Sequence, residues 1–150
     1  MISREEALFT GRHTAQSGQH GNTWRVLLAE DDRSFRRYLE IFLKRAGYEV
    51  LVAVDGQAAI DLLLEGTSVD IVITDAIMPN LNGYQLCRSL KETPQLSHLP
   101  VVLLSALEPQ DTQYETRYVD AFLVKPVAND ELLSCLESLL SQPVKSRTLS

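Results

Sequence analysis

The stretch Val69-Asp70-Ile71-Val72-Ile73-Thr74-Asp75-Ala76-Ile77-Met78-Pro79-Asn80-Leu81-Asn82-Gly83 decides how this chain is read. An apolar run of strand length ends in an acid, and a turn rich in Asn, Pro and Gly follows at once. The pattern repeats. Val26-Leu27-Leu28-Ala29 ends in Glu30-Asp31-Asp32, and later runs end in Ser105-Ala106 and in Lys125-Pro126. Four strand-like segments therefore finish in residues able to handle a phosphate or a metal ion.

Working outward, the apolar runs are Trp24–Ala29, Val50–Val54, Ile71–Thr74, Val101–Leu104 and Ala121–Val124. Unbroken Val, Ile and Leu suit strands buried on both faces, as in a parallel sheet. The intervening segments have helical period. Phe35, Leu39, Phe42 and Ala46 form one stripe, with Asp32 placed as N-cap rather than as a metal ligand and Gly47 just past the end. Ala59, Leu62 and Leu63 stripe a second helix, and Leu86 and Leu90 a third. Leu132, Cys135, Leu136 and Leu139 stripe the last, with Asp130 near its start. Strand and helix alternate five times, which predicts a doubly wound α/β domain. Ligands of such sheets bind outside the carboxyl ends of the strands, where all four suspect clusters fall.

The remaining residues bound the answer. At 150 residues the chain suits one domain with a sizeable core, and 45% hydrophobic with 23% charged content is ordinary for a globular protein. A net charge of -6 argues against direct nucleic-acid binding, which needs a basic face. No apolar run is long enough to span a membrane and no signal peptide is evident. Cys87 and Cys135 fall inside helical patterns and read as reduced core or boundary residues of a cytoplasmic protein. Residues 1–23 read as a flexible leader and 142–150 as a tail or truncated linker, leaving 24–141 as the domain. Trp24 is expected at the edge of the first strand. His13, His20 and His98 are too scattered for a metal site, and Gly18 and Gly21 follow no strand and form no phosphate loop.

Glu30, Asp31 and Asp75 should converge across adjacent strand ends. Two unit charges ~4 Å apart repel by about 4 kcal/mol at an effective dielectric near 20. Such a cluster calls for a hard divalent cation, and Mg2+ accepts a few carboxylates with a phosphate as co-ligand. Lys125 can offset negative charge at the same mouth, and Ser105 offers a hydroxyl donor, although alone it could equally cap a helix. A carboxylate, Mg2+, a lysine and a hydroxyl make a site for an aspartyl phosphate, with Asp75 as nucleophile.

Together these residues resemble the receiver domain of two-component response regulators, the flavodoxin-like phospho-acceptor family. The resemblance rests on Leu28-Ala29-Glu30-Asp31-Asp32, Thr74-Asp75-Ala76-Ile77-Met78-Pro79 with Asn82-Gly83, Leu104-Ser105-Ala106, and Phe122-Leu123-Val124-Lys125-Pro126, and runs from about Trp24 to Ser141. It implies a five-stranded parallel sheet of (βα)5 topology and strand order 2-1-3-4-5. It implies Glu30, Asp31, Asp75 and the backbone carbonyl of Ile77 as Mg2+ ligands, and Asp75 as phospho-acceptor acting with Lys125 and Ser105. Ser105 and Phe122 would be the switch residues, though Phe122 could be simple core. A cis peptide before Pro126 belongs to the same pattern. The implied function is a phosphorylation switch fed by a histidine kinase or a histidine phosphotransfer protein. It would act on a downstream protein target or an output domain, with homodimerisation possible and no turnover of external substrate. No output domain is expected after Leu140, so the chain reads as a stand-alone receiver or one excised from a longer regulator.

Two rivals are weighed. An aspartyl-phosphate phosphatase would need an acid/base carboxylate two residues after the nucleophile, where Ile77 stands. A vestigial receiver would serve as a phosphorylation-independent interaction module. The segment Ala106–Ala121 departs from the family pattern: Tyr118-Val119 replaces the usual Ala-Gly and apolar periodicity is poor. A short or frayed fourth helix is expected there. Ile77 and Leu107, bulky and apolar beside the site, are expected to hinder water and prolong the phospho-form.

Overall fold

The computed structural model describes residues 23–141. The expected leader and tail lie outside the described residues, except for Thr23. Five strands form one parallel sheet in the order β2-β1-β3-β4-β5: β1 (Arg25–Ala29), β2 (Glu49–Ala53), β3 (Ile71–Asp75), β4 (Val101–Ser105) and β5 (Ala121–Val124). The expected order is the observed one. Among the described residues four α-helices accompany them: α1 (Arg33–Arg45), α2 (Gly56–Leu64), α3 (Gly83–Glu92) and α4 (Asn129–Leu140).

The period of two along each strand divides the core. Leu27, Ala29, Val72, Val101 and Leu103 face Ala59, Ile60 and Leu63 of α2 and Tyr84, Leu86, Cys87 and Leu90 of α3. Val26, Leu28, Ile71, Ile73, Val102 and Leu104 face Leu39 and Leu43 of α1 and Leu132, Leu133, Leu136 and Leu140 of α4. Every residue of β3 and β4 is buried, which is why those strands carry no polar alternation. Burying each Leu or Ile of this double core contributes roughly 1.5–3 kcal/mol.

The helix starts are written locally. Asp32 caps α1 by accepting the Phe35 N–H at 2.7 Å, and Gly47 takes a left-handed φ of 103° just past its end. Asn82 and Gln85 close a capping box at α3. Helix α4 starts without a side-chain cap, and Asp130 and Glu131 in its first turn complement its dipole instead.

Five strand boundaries differ from expectation. Strands β3 and β4 run one residue further, so Asp75 and Ser105 are themselves the last strand residues. Strand β2 begins at Glu49 and ends at Ala53, whose partner Ala29 is the last residue of β1; Val54 therefore has no ladder partner and is exposed. Trp24 lies immediately before β1, half-buried against the α1–α4 side of the core.

The crossover between β4 and β5 has no α-helix. It carries one 3-10 turn, Pro109–Asp111, where the sequence predicts a short or frayed fourth helix of one or two turns. Without an apolar stripe there is nothing for a longer helix to bury. Aromatic contacts hold the segment instead. The Tyr114 ring stacks on Tyr84 with centroids 4.8 Å apart, and the Arg117 guanidinium lies 4.9 Å from the Tyr118 ring centroid. Asp120 accepts from the Val101 N–H and from Lys91 Nζ, both at 2.7 Å, and closes the loop onto β4 and α3.

Candidate functional site

Parallel topology brings the carboxyl ends of β1, β3, β4 and β5 to one edge of the sheet, and with them the acids, the hydroxyl and the lysine. Asp75 ends β3 and is buried; Glu30 follows β1 and is 2% exposed; Asp31 beside it is exposed. One carboxylate oxygen from each of Glu30, Asp31 and Asp75 lies within 4.8 Å of the others, and among the described residues this is the one group with metal-ligand spacing. Lys125, the first residue past β5, places its ammonium directly on Asp75 Oδ1. Its backbone N–H donates to the Ser105 carbonyl at 2.7 Å, which ties the lysine to the end of β4. The Lys125 ammonium also lies 5.1 Å from the Phe35 ring centroid.

Local hydrogen bonds set the acids in place. Glu30 Oε2 accepts the Asp32 N–H at 2.9 Å, and Arg36 donates to the Glu30 carbonyl at 2.9 Å. Glu30 Oε1 is buried without a hydrogen-bond partner. An orphaned carboxylate oxygen on a residue of an acidic cluster is costly to leave unpaired, and a hard cation would satisfy it. Burial, aided by the neighbouring Asp75 charge and opposed by the Asp32 N–H, pushes the Glu30 carboxyl up to about 7. Burial also raises Asp75 above the ordinary carboxylate range, against the opposing pull of Lys125. Among the described residues, then, more negative charge is gathered than the single ammonium offsets. The residues present fit a divalent cation with oxygen ligands.

Ser105 is buried at the end of β4, one register step beyond Leu104, the partner of Asp75. Its Oγ accepts the Leu107 N–H at 3.0 Å. Phe122 lies away from the acids. Its ring is half-buried on the α2–α3 face, 6.5 Å from the Tyr84 ring. Ile77 is 61% exposed and Leu107 51% exposed, and both line a cavity of about 340 Å³ that reaches Ser105. A larger cavity of about 620 Å³ opens over the acids, bounded by Asp75, Lys125, Phe35, Tyr38 and Val127. The Lys125-Pro126 peptide is cis.

Two features escape a reading of the sequence. The first is the pair Tyr84 and Tyr114, 30 positions apart, for which no local pattern gives a signal. The second is the hydrogen bond from Asn80 Nδ2 to Asp55 Oδ2 at 2.8 Å. Asp55-Gly56 ahead of a helical stripe does signal an N-cap, but not the second partner of that carboxylate.

A model of the response regulator receiver domain matches residues 26–137. Protein PilG of Pseudomonas aeruginosa is 31% identical over 122 residues, covering 80% of this chain and 90% of PilG. Response regulator PleD of Caulobacter vibrioides is 34% identical over 117 residues, covering 77% of this chain but 26% of PleD. Among solved structures, the signal receiver domain of a histidine kinase from Syntrophus aciditrophicus superposes with a TM-score of 0.74 at 34% identity, covering 79% of this chain and 91% of that one. Response regulator TrrA of Thermotoga maritima, solved in complex with Mg2+ and BeF, superposes with a TM-score of 0.71 at 26% identity, covering 79% of this chain and 100% of that one.

Proposed function

This chain belongs to the response regulator receiver domain family, the phosphorylation-based signalling modules of two-component systems, and on that premise we propose that Asp75 is its phospho-acceptor. The donor is a histidine kinase or a histidine phosphotransfer protein. A carboxylate oxygen of Asp75 attacks phosphorus, the phosphorus–nitrogen bond of the phosphoimidazole breaks, and an acyl phosphate forms as the imidazole leaves. Glu30, Asp31, Asp75 and the backbone carbonyl of Ile77 hold Mg2+, which supplies charge compensation for the phosphoryl oxygens. Lys125 stays with the phosphoryl group as its cationic partner. Ser105 donates its hydroxyl to a phosphoryl oxygen, and Phe122 repacks as Ser105 moves.

The observation that carries this reading is the cluster itself: Glu30, Asp31 and Asp75 each bring a carboxylate oxygen within 4.8 Å of the others, Glu30 has a buried oxygen without a hydrogen-bond partner, and a lysine is already seated on Asp75. Residues 24–141 form the receiver, and 1–23 and 142–150 flank it as leader and tail. The two free thiols, Cys87 and Cys135, suit a reducing cytoplasm. The net charge of -6 disfavours nucleic acid, so the output is a downstream protein or output domain, with a homodimer as one form it could take. The phospho-form is a signal and not a step in substrate turnover.

The test is incubation with acetyl phosphate, with and without Mg2+, alongside Asp75→Asn, read by intact mass. A Mg2+-dependent phosphate adduct that disappears in Asp75→Asn supports the reading. A folded protein that takes up no phosphate would replace it with the phosphorylation-independent interaction module, which the helix-free β4–β5 crossover would then favour.

A further inference from the structure

The segment 76–82 carries the Ile77 carbonyl, yet it belongs to no strand and no helix, and the Ile77 side chain points to solvent. Its precision must come from contacts elsewhere. At its start the Ala76 N–H donates to the Leu104 carbonyl at 2.9 Å, and at its end the Gly83 N–H returns to the Ala76 carbonyl at 2.8 Å. The middle is pinned from a different part of the fold, the corner between β2 and α2. There Asn80, in the left-handed region at φ 68°, donates Nδ2 to Asp55 Oδ2 at 2.8 Å. Next to it Gly56 lies so close to the loop that a Cβ would stand 2.2 Å from the Leu81 carbonyl oxygen.

We propose that Asp55, acting through Asn80, is a positioning residue for the acceptor loop and sets the affinity of the acidic site for Mg2+. The inference rests on the reading above that the Ile77 carbonyl joins Glu30, Asp31 and Asp75 in holding the cation. Asp55 touches none of those groups. Its carboxylate is divided between two tasks: Oδ1 caps α2 by accepting the Ala58 N–H at 2.8 Å, and Oδ2 accepts from Asn80. Capping alone would be served as well by serine. A carboxylate supplies the second acceptor at a longer reach, and at 9% exposure it is largely removed from water on its own side of the part-buried bond to Asn80. Outer groups that orient metal ligands in this way typically change metal affinity by about 10–100-fold when removed. One hydrogen bond acting on one carbonyl ligand belongs at the low end of that range.

The variants Asp55→Ser and Asn80→Gly remove the bond while keeping the cap and the left-handed backbone. Leu140→Ala, at the far end of α4, serves as a destabilised control. Mg2+ affinity is measured by titration calorimetry, and hydrogen exchange across residues 76–82 is measured without metal. Each single variant should weaken Mg2+ binding by about three- to tenfold and speed exchange in 76–82. The double variant should be no worse than either single, because one shared interaction is lost. Leu140→Ala should lose stability with Mg2+ affinity unchanged. If the parent binds Mg2+ and Asp55→Ser binds within twofold of it, the proposal is overturned while the function reading stands. Absence of Mg2+ binding by the parent overturns the function reading itself. Unchanged exchange in 76–82 would overturn the positioning role even in that case.

Discussion

Lys125 bonds through its ammonium to Asp75 Oδ1, and the same ammonium rests 5.1 Å from the Phe35 ring centroid. The aromatic face and the acid together hold one cation at the end of β5. On the proposed function, the residue that offsets Asp75 before reaction is already placed to meet a phosphoryl group after it.

Lys125→Met keeps the stem and removes the charge. A hydrogen bond to a charged partner contributes roughly 1.5–3 kcal/mol, so phosphate uptake from acetyl phosphate should slow by about 10–100-fold. Intact-mass time courses on parent and variant give the ratio. Equal rates would remove Lys125 from the reaction.

Neither Ile77 nor Leu107 offers a polar side chain to orient water against a phosphorylated Asp75, and both project at the surface beside it. The phospho-form should be long-lived, and Ile77→Asn should shorten its half-life by several-fold by placing an amide within reach of that water. Decay of the adduct mass after removal of the phosphodonor measures this. A parent half-life of seconds would contradict the steric reading.

Gly83 begins α3 against the backbone of Asp75, where an added Cβ would stand 2.2 Å from the Asp75 carbonyl oxygen. Gly83→Ala must displace the backbone of Asp75. Overpacking of this kind costs about 1–3 kcal/mol, so the denaturation midpoint and Mg2+ binding should fall together. Retention of both would show that the corner can relax.

Two donors, first the Ala58 N–H and then Asn80, hold the Asp55 carboxyl below its ordinary value of 3.8. A lowered folded value stabilises the fold fully above that ordinary value, and the contribution fades as pH falls through the folded one. Urea unfolding should therefore separate parent from Asp55→Ser more widely at pH 7 than near pH 3. The same gap at both pH values would mean that the ionised form contributes nothing.

Cys87 is wholly buried, and burial pushes its thiol up to about 12. At pH 8 a maleimide should label the half-buried Cys135 first and reach Cys87 only when α3 leaves the sheet. Mass analysis with peptide mapping gives the order. Rapid labelling of Cys87 would indicate a mobile α3.

The sequence by itself determined what local periodicity can carry. The apolar runs Ile71–Thr74 and Val101–Leu104 mark strands because only buried parallel strands dispense with polar alternation. Asp32 marks the start of α1 because a short acid before a helical stripe satisfies its free N–H groups. The order of acids, hydroxyl and lysine along the chain pointed to a phosphate site, and parallel topology places all three types at one edge. What tertiary structure alone decided lies in contacts across long separations. Asp55 meets Asn80 over 25 positions, and Tyr114 covers Tyr84 over 30. Neither pair has a period or a local partner to betray it, because each exists only once α2 and α3 are packed on one face of the sheet. The assembled fold also leaves Glu30 with a buried, unmatched oxygen. No single sequence position carries that fact, since burial belongs to the assembled fold and not to the residue.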